Sequence, residues 1–230
     1  MVAMAVHRCR FTEWMPSAVH ALAARPDGLI LAVGREDGDI EIVLPAESWR
    51  IERRVPGREG RSLTALVWGR EKAGGSPWRL FGCGLDGCLW EADLRRLAPV
   101  HVRESYGGAV WCMDASRSQP LLAIGCDDGS VKLFSYEGGG LEYSKTFPTT
   151  NVRVLSVAWS ADDRAIFAGG ADGRVRCFDA TTGVSLFDMR LERQGGHTLV
   201  WALKVLTDGT VVTGDSLGHV QFWDGATGTQ

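Results

Sequence analysis

The chain has 230 residues, 45% of them hydrophobic, and a formal net charge of −3, the composition of an ordinary globular protein or part of one. No apolar run approaches the roughly 20 residues of a membrane-spanning helix, and Met1 to Arg10 holds no long apolar core of the kind a secretory signal carries. The slightly acidic balance argues against a general nucleic-acid binder, which would carry a basic footprint.

In chain order, Val6 to Phe11 alternates weakly and reads as a short strand (segment 5–12) ahead of a first repeat at 17–56. That repeat shows a strand at Val19 to Ala24, a turn at Pro26-Asp27-Gly28 and a strand at Leu29 to Gly34. The turn Asp37-Gly38, a strand at Ile40 to Val43 and an alternating outer strand at Trp49 to Val55 complete it. The same grammar returns at 62–104, 108–148, 152–191 and 197–230. In these, Asp86-Gly87, Asp128-Gly129, Asp172-Gly173 and Leu217-Gly218 take the place of Asp37-Gly38. An Asp-Gly pair between apolar runs is a hairpin signal, because Gly accepts the positive φ that the turn requires.

Positions 37, 86, 128, 172 and 217 are separated by 49, 42, 44 and 45 residues. A period in the forties marks a repeat architecture, and the longest step contains a predicted loop insertion, Glu71 to Pro77. Nearly every predicted element is short and bounded by Gly, Asp, Pro or Ser, and no amphipathic helix is evident. The fold class that follows is all-β: a β-propeller segment of about five four-stranded blades. The sequence stops at Gln230, where the fourth strand of the fifth blade is expected, so the ring is predicted to be incomplete. Asp37, Asp86, Asp128 and Asp172 are expected to be structural turn residues.

Phe222-Trp223-Asp224 resembles the dipeptide-bearing strand end of WD repeats, with Cys177-Phe178-Asp179 and Leu133-Phe134-Ser135 as looser counterparts. In such repeats the turn Asp meets a His ahead of the first strand. His197 is the one plausible match, and it falls in the repeat whose turn Asp is replaced by Leu217. A more specific resemblance spans essentially the whole chain. Val6-His7-Arg8-Cys9-Arg10-Phe11, Asp37 to Ile42, Gly107 to Trp111, Gly125 to Phe134, Val200-Trp201 and Val220 to Thr229 are similar to the cirhin-like WD-repeat proteins of the nucleolar small-subunit processome. Cirhin-like proteins carry two consecutive propellers, so the chain resembles most of the first.

The resemblance implies a non-catalytic scaffold in pre-ribosomal RNA processing and processome assembly, with a link to ribosomal DNA transcription, in the nucleus and nucleolus. It implies as partners other processome WD-repeat proteins, the U3 small nucleolar ribonucleoprotein and pre-ribosomal RNA, and no membrane. The alternative is another WD-repeat adaptor, such as a ubiquitin-ligase substrate receptor. A propeller hydrolase stands further back.

Gly82-Cys83-Gly84-Leu85-Asp86-Gly87 matches G-x-G-x-x-G, yet that motif binds a dinucleotide only between a strand and a helix. Here it runs into another predicted strand. Asp162-Asp163, Asp127-Asp128 and the Glu36/Asp37/Asp39 group sit at equivalent turns, which is what turn chemistry predicts. The cysteines Cys9, Cys83, Cys88, Cys112, Cys126 and Cys177 form no C-x-x-C pair and read as reduced thiols. No catalytic, cofactor or metal site is therefore assigned. One charge feature stands out. Arg50, Arg53, Arg54, Arg58, Arg61, Arg70 and Lys72 outnumber Glu52, Glu59 and Glu71. Of these, Arg50, Arg53, Arg54, Arg58 and Arg61 are candidates to contact RNA phosphate or an acidic partner.

Overall fold

A computed structural model describes residues 17–58, 60–71, 77–191 and 198–230. The expected N-terminal strand, His197 and most of the Glu71 to Pro77 insertion lie outside these residues. Among them, every regular element except two short 3-10 turns (Pro45–Glu47 and Glu137–Gly139) is a β-strand.

The first sheet contains β1 (Val19–Ala24), β2 (Leu31–Arg35), β3 (Ile40–Leu44) and β4 (Arg50–Val55). The second contains β5 (Ala65–Gly69), β6 (Arg79–Cys83), β7 (Cys88–Asp93) and β8 (Ala98–Glu104). The third contains β9 (Val110–Ala115), β10 (Leu121–Cys126), β11 (Val131–Ser135) and β12 (Glu142–Thr146). The fourth contains β13 (Val154–Trp159), β14 (Ala165–Gly170), β15 (Arg174–Asp179) and β16 (Ser185–Arg190). The fifth has three strands among the described residues: β17 (Val200–Val205), β18 (Thr210–Asp215) and β19 (Val220–Asp224). Each sheet is an antiparallel meander in chain order, and β1, β5, β9, β13 and β17 neighbour one another in sequence along the inner side. This is the blade arrangement of a β-propeller, with strand ends within a few residues of the expected ones.

The core lies between sheets rather than within them. Four apolar clusters fill the four junctions in turn: Ile40, Ile42 and Val55 meet Leu63, Leu66 and Trp68; Phe81 and Leu89 meet Val110, Met113 and Phe134; Val131, Leu133 and Phe147 meet Val154 and Phe178; and Val175, Cys177 and Met189 meet Val200 and Val211. A glycine near the end of the second strand in the first, third and fourth sheets governs how closely the next sheet approaches. A side chain at Gly34 would strike Leu63, one at Gly125 would strike Val154 and one at Gly169 would strike Val200. In each case a branched residue at or just ahead of the next inner strand sits over a bare backbone. In the second sheet Cys83 takes this place, buried with its register partner Leu89 in the cluster shared with the third sheet. Above Gly214, among the described residues, there is only Ala202 of its own sheet.

Register makes the consequence measurable. Ile40, Leu89, Val131, Val175 and Val220 pair with Gly34, Cys83, Gly125, Gly169 and Gly214 respectively. The first four are 1%, 0%, 2% and 0% exposed, whereas Val220 is 63% exposed. Burial at this position depends on having a following sheet.

Candidate interaction surfaces

The five organising turns share one geometry. Gly38, Gly87, Gly129, Gly173 and Gly218 all have positive φ, between 72° and 85°. The preceding Asp carboxylates cap the turns from within. Asp37 accepts from the Asp39 N–H at 3.1 Å, Asp86 from Cys88 at 3.2 Å, Asp128 from Ser130 at 2.8 Å and Asp172 from Arg174 at 3.3 Å. Where Leu217 replaces the Asp, Asp215 accepts from both Leu217 and His219, each at 2.9 Å. Gly82 to Gly87 joins β6 to β7, strand to strand, through one of these turns.

A second position recurs on each third strand, opposite the residue preceding the seat, and carries a charged or amide side chain in four of the five sheets. Glu41 pairs with Arg35 at 2.7 Å, and Trp90 holds the place in the second sheet, its indole N–H buried without a hydrogen-bond partner among the described residues. Lys132 donates to the carbonyls of Ser105 and Tyr106 at 2.9 and 2.6 Å, and Arg176 pairs with Asp172 at 2.6 Å. Gln221 holds this place in the fifth sheet, and its Oε1 is buried without a hydrogen-bond partner among the described residues. The five repeats thus fill one position in different ways, so sequence alone shows no motif there.

The predicted arginines do not form one free patch. Arg50 is ion-paired with Glu47 on the exposed rim. Arg53 reaches the second sheet and donates to the Leu94 carbonyl at 2.6 Å. Arg54 pairs with Asp39 at 2.7 Å and approaches Glu41 at 3.7 Å. Arg61 lies over the Trp90 ring, 5.5 Å from its centroid, and Arg58, exposed, accepts from the Arg61 N–H through its carbonyl. Arg53 has a counterpart in the third sheet: Lys145 donates to Ala180 and, at 2.7 Å, to Thr181 in the fourth. In both, an outer-strand cation ties one sheet to a turn of the next.

At the end of the propeller formed by the organising turns, Trp111 and Trp201 approach to 6.5 Å between ring centroids. Asp127 accepts from the Trp111 indole N–H at 3.0 Å and pairs with Arg153, whose guanidinium lies 4.7 Å from the Trp111 ring. The Trp111 N–H and then the Arg153 side chain hold the Asp127 carboxyl below its ordinary range. The Trp signal was in the sequence, in the second residue of two inner strands; their convergence was not.

At the opposite end, a cavity of about 760 Å³ opens among the inner strands of the first, second, third and fifth sheets. Leu22, Trp68, Arg70, Trp78, Asp114, Arg117 and Lys204 line it. Asp114 accepts the Trp159 N–H on Oδ2 at 2.9 Å, and its carbonyl accepts the Trp159 indole at 3.3 Å. Burial pushes the Asp114 carboxyl upward, partly offset by the Trp159 N–H and by Lys204 and Arg117.

Burial pushes the thiols of Cys83 and Cys177 up to about 12 and that of Cys126 up to about 11, so these cysteines stay protonated. Among the described residues, no three His, Cys, Asp or Glu side chains gather to hold a metal ion.

Residues 98–135 and 141–179 match the family described as WD domain, G-beta repeat. The chain is 37% identical over 229 residues to the U3 small nucleolar RNA-associated protein 4 homolog of Homo sapiens, an alignment covering 97% of this chain and 32% of that protein. It is 35% identical over 237 residues to U3 small nucleolar RNA-associated protein 4 of Schizosaccharomyces pombe, covering 96% and 33%. The protein of the same name from Saccharomyces cerevisiae is 35% identical over 240 residues, covering 96% and 30%. The chain spans about a third of the length of these relatives. Its fold is that of a WD-repeat β-propeller segment.

Proposed function

We propose that this WD-repeat propeller segment acts as a non-catalytic scaffold in nucleolar small-subunit ribosome biogenesis. The observation that carries the reading is the similarity to U3 small nucleolar RNA-associated proteins of human and two yeasts over 96–97% of the chain. On this reading it assembles with other processome WD-repeat proteins, the U3 ribonucleoprotein and pre-ribosomal RNA, and resides in the nucleolus. The turn carboxylates Asp37 and Asp128 are engaged in capping their own hairpins, which gives them a structural role in the frame. Exposed rims and turn ends provide separate faces on one rigid frame. Arg50, Arg53, Arg54, Arg58 and Arg61 are proposed to contribute an RNA or acidic-partner contact, those on the outer strand acting alongside their ties within the fold.

Affinity purification of the tagged chain from human cells, with U3 small nucleolar RNA quantified against an unrelated WD-propeller control, tests the proposal. Enrichment of U3 RNA and nucleolar staining are expected. Absence of enrichment, with recovery of ubiquitin-ligase subunits instead, would replace the reading with the adaptor alternative.

A further inference from the structure

The central cavity carries more positive than negative charge, and its cations are not all spoken for. Arg117 donates weakly to the carbonyls of Ala161 and Val205, at 3.4 and 3.3 Å, which sets its guanidinium beside β17, the strand that carries Lys204. Arg70 stacks over the Trp78 ring at 4.6 Å. Lys204 is exposed and has no hydrogen-bond partner among the described residues. Against these three cations stands one wall carboxylate, Asp114, already bonded to Trp159. Asp27, at the mouth, is taken by Arg25 at 2.9 Å. Like charges converging on one concave space repel each other, and a bound anion relieves that repulsion.

We propose that this cavity is a docking site for an acidic peptide segment of a partner protein, with Lys204 and Arg117 receiving a Glu or Asp carboxylate and Arg70 a second. Charge complementarity favours the anion. Leu22 and Trp78 on the wall favour a peptide over a phosphate chain, because they give side chains a surface to cover and a cavity of this volume admits a few residues. Asp114 tunes the site by opposing the anion from the wall. The site goes beyond the scaffold reading and does not depend on it, since binding is measured with the isolated chain.

Fluorescence anisotropy of a labelled octa-glutamate peptide with the 230-residue chain tests this, with octa-lysine and a twelve-nucleotide uridine RNA as comparisons. Octa-glutamate is expected to bind in preference to both. Lys204→Gln, at an exposed residue outside the core, is expected to weaken it roughly tenfold, the effect of losing one charge-assisted hydrogen bond. Asp114→Asn keeps an acceptor for Trp159 and is expected to strengthen binding. Equal binding of all three ligands, or octa-glutamate affinity unchanged in both variants while each still melts cooperatively, overturns the proposal. RNA binding with the same dependence on Lys204 overturns the peptide assignment in favour of nucleic acid. A failed U3 purification with intact octa-glutamate binding would sink only the scaffold reading.

Discussion

Ser118 donates both its backbone N–H and its hydroxyl to the same oxygen of Asp163, each at 2.7 Å, across the boundary between the third and fourth sheets. Ser116 and the Arg117 N–H donate to the same carboxylate, which is only 5% exposed. The β9–β10 turn is therefore held by its neighbour.

Asp163→Ala leaves several donors without an acceptor in a buried setting and is expected to cost about 3 kcal/mol. Asp163→Asn keeps one acceptor and the left-handed backbone that Asn tolerates, so a smaller loss is expected. Urea denaturation followed by circular dichroism measures both; equal midpoints for the Ala variant and the parent would refute the role.

The outer-strand ties are weaker and separable. Lys145→Met removes the bonds to Ala180 and Thr181, and Arg53→Ala removes the bond to Leu94. Each is expected to lower stability by about 1 kcal/mol. If Arg53→Ala also weakens RNA or partner association by more than its stability loss explains, both roles are present in one residue.

Equivalent valines should respond differently. Val175→Ala empties a fully buried site and is expected to cost about 2 kcal/mol. Val220→Ala, at the same register position on an exposed face, should fall within about 0.5 kcal/mol of the parent. Similar losses at the two sites would show that the Val220 face is covered in solution.

Asp114 gives a pH signature. Its carboxyl is raised above 3.8 in the folded chain, chiefly by burial, so the folded state binds the proton more tightly than the unfolded one. Sign and window follow from linkage: the charged form destabilises the fold once pH exceeds the folded value, and the penalty vanishes below the unfolded value of about 3.8. Asp114→Asn is expected to be more stable than the parent near neutral pH, with the gap closing as pH falls through that window. A pH-independent difference in thermal midpoint would refute it.

Much of this architecture is visible in the period of the chain. Asp37-Gly38 and its counterparts mark the turns, and the apolar runs between them mark the strands, because both signals are local. What the chain hides is pairing between repeats. Asp162 and Asp163 look alike in sequence, yet Asp162 caps its own turn through Ser160 and Arg164 while Asp163 serves the preceding sheet. The outer-strand arginines read as one charge cluster, but Arg53 and Arg54 are directed to different sheets and different partners. The cavity cations Arg70, Arg117 and Lys204 come from three repeats, so no window of sequence contains them together.

The glycine seats give the molecule a direction of growth. Leu63 closes over Gly34, Val154 over Gly125 and Val200 over Gly169, so these seats are filled from the C-terminal side. During synthesis, a nascent sheet whose strands have all emerged from the ribosome remains unfinished until the next repeat begins to appear. Its apolar face is meanwhile the newest surface on the chain. Translation speed across the start of each repeat, rather than within it, therefore sets how long that surface stays open to chaperones or to misassembly.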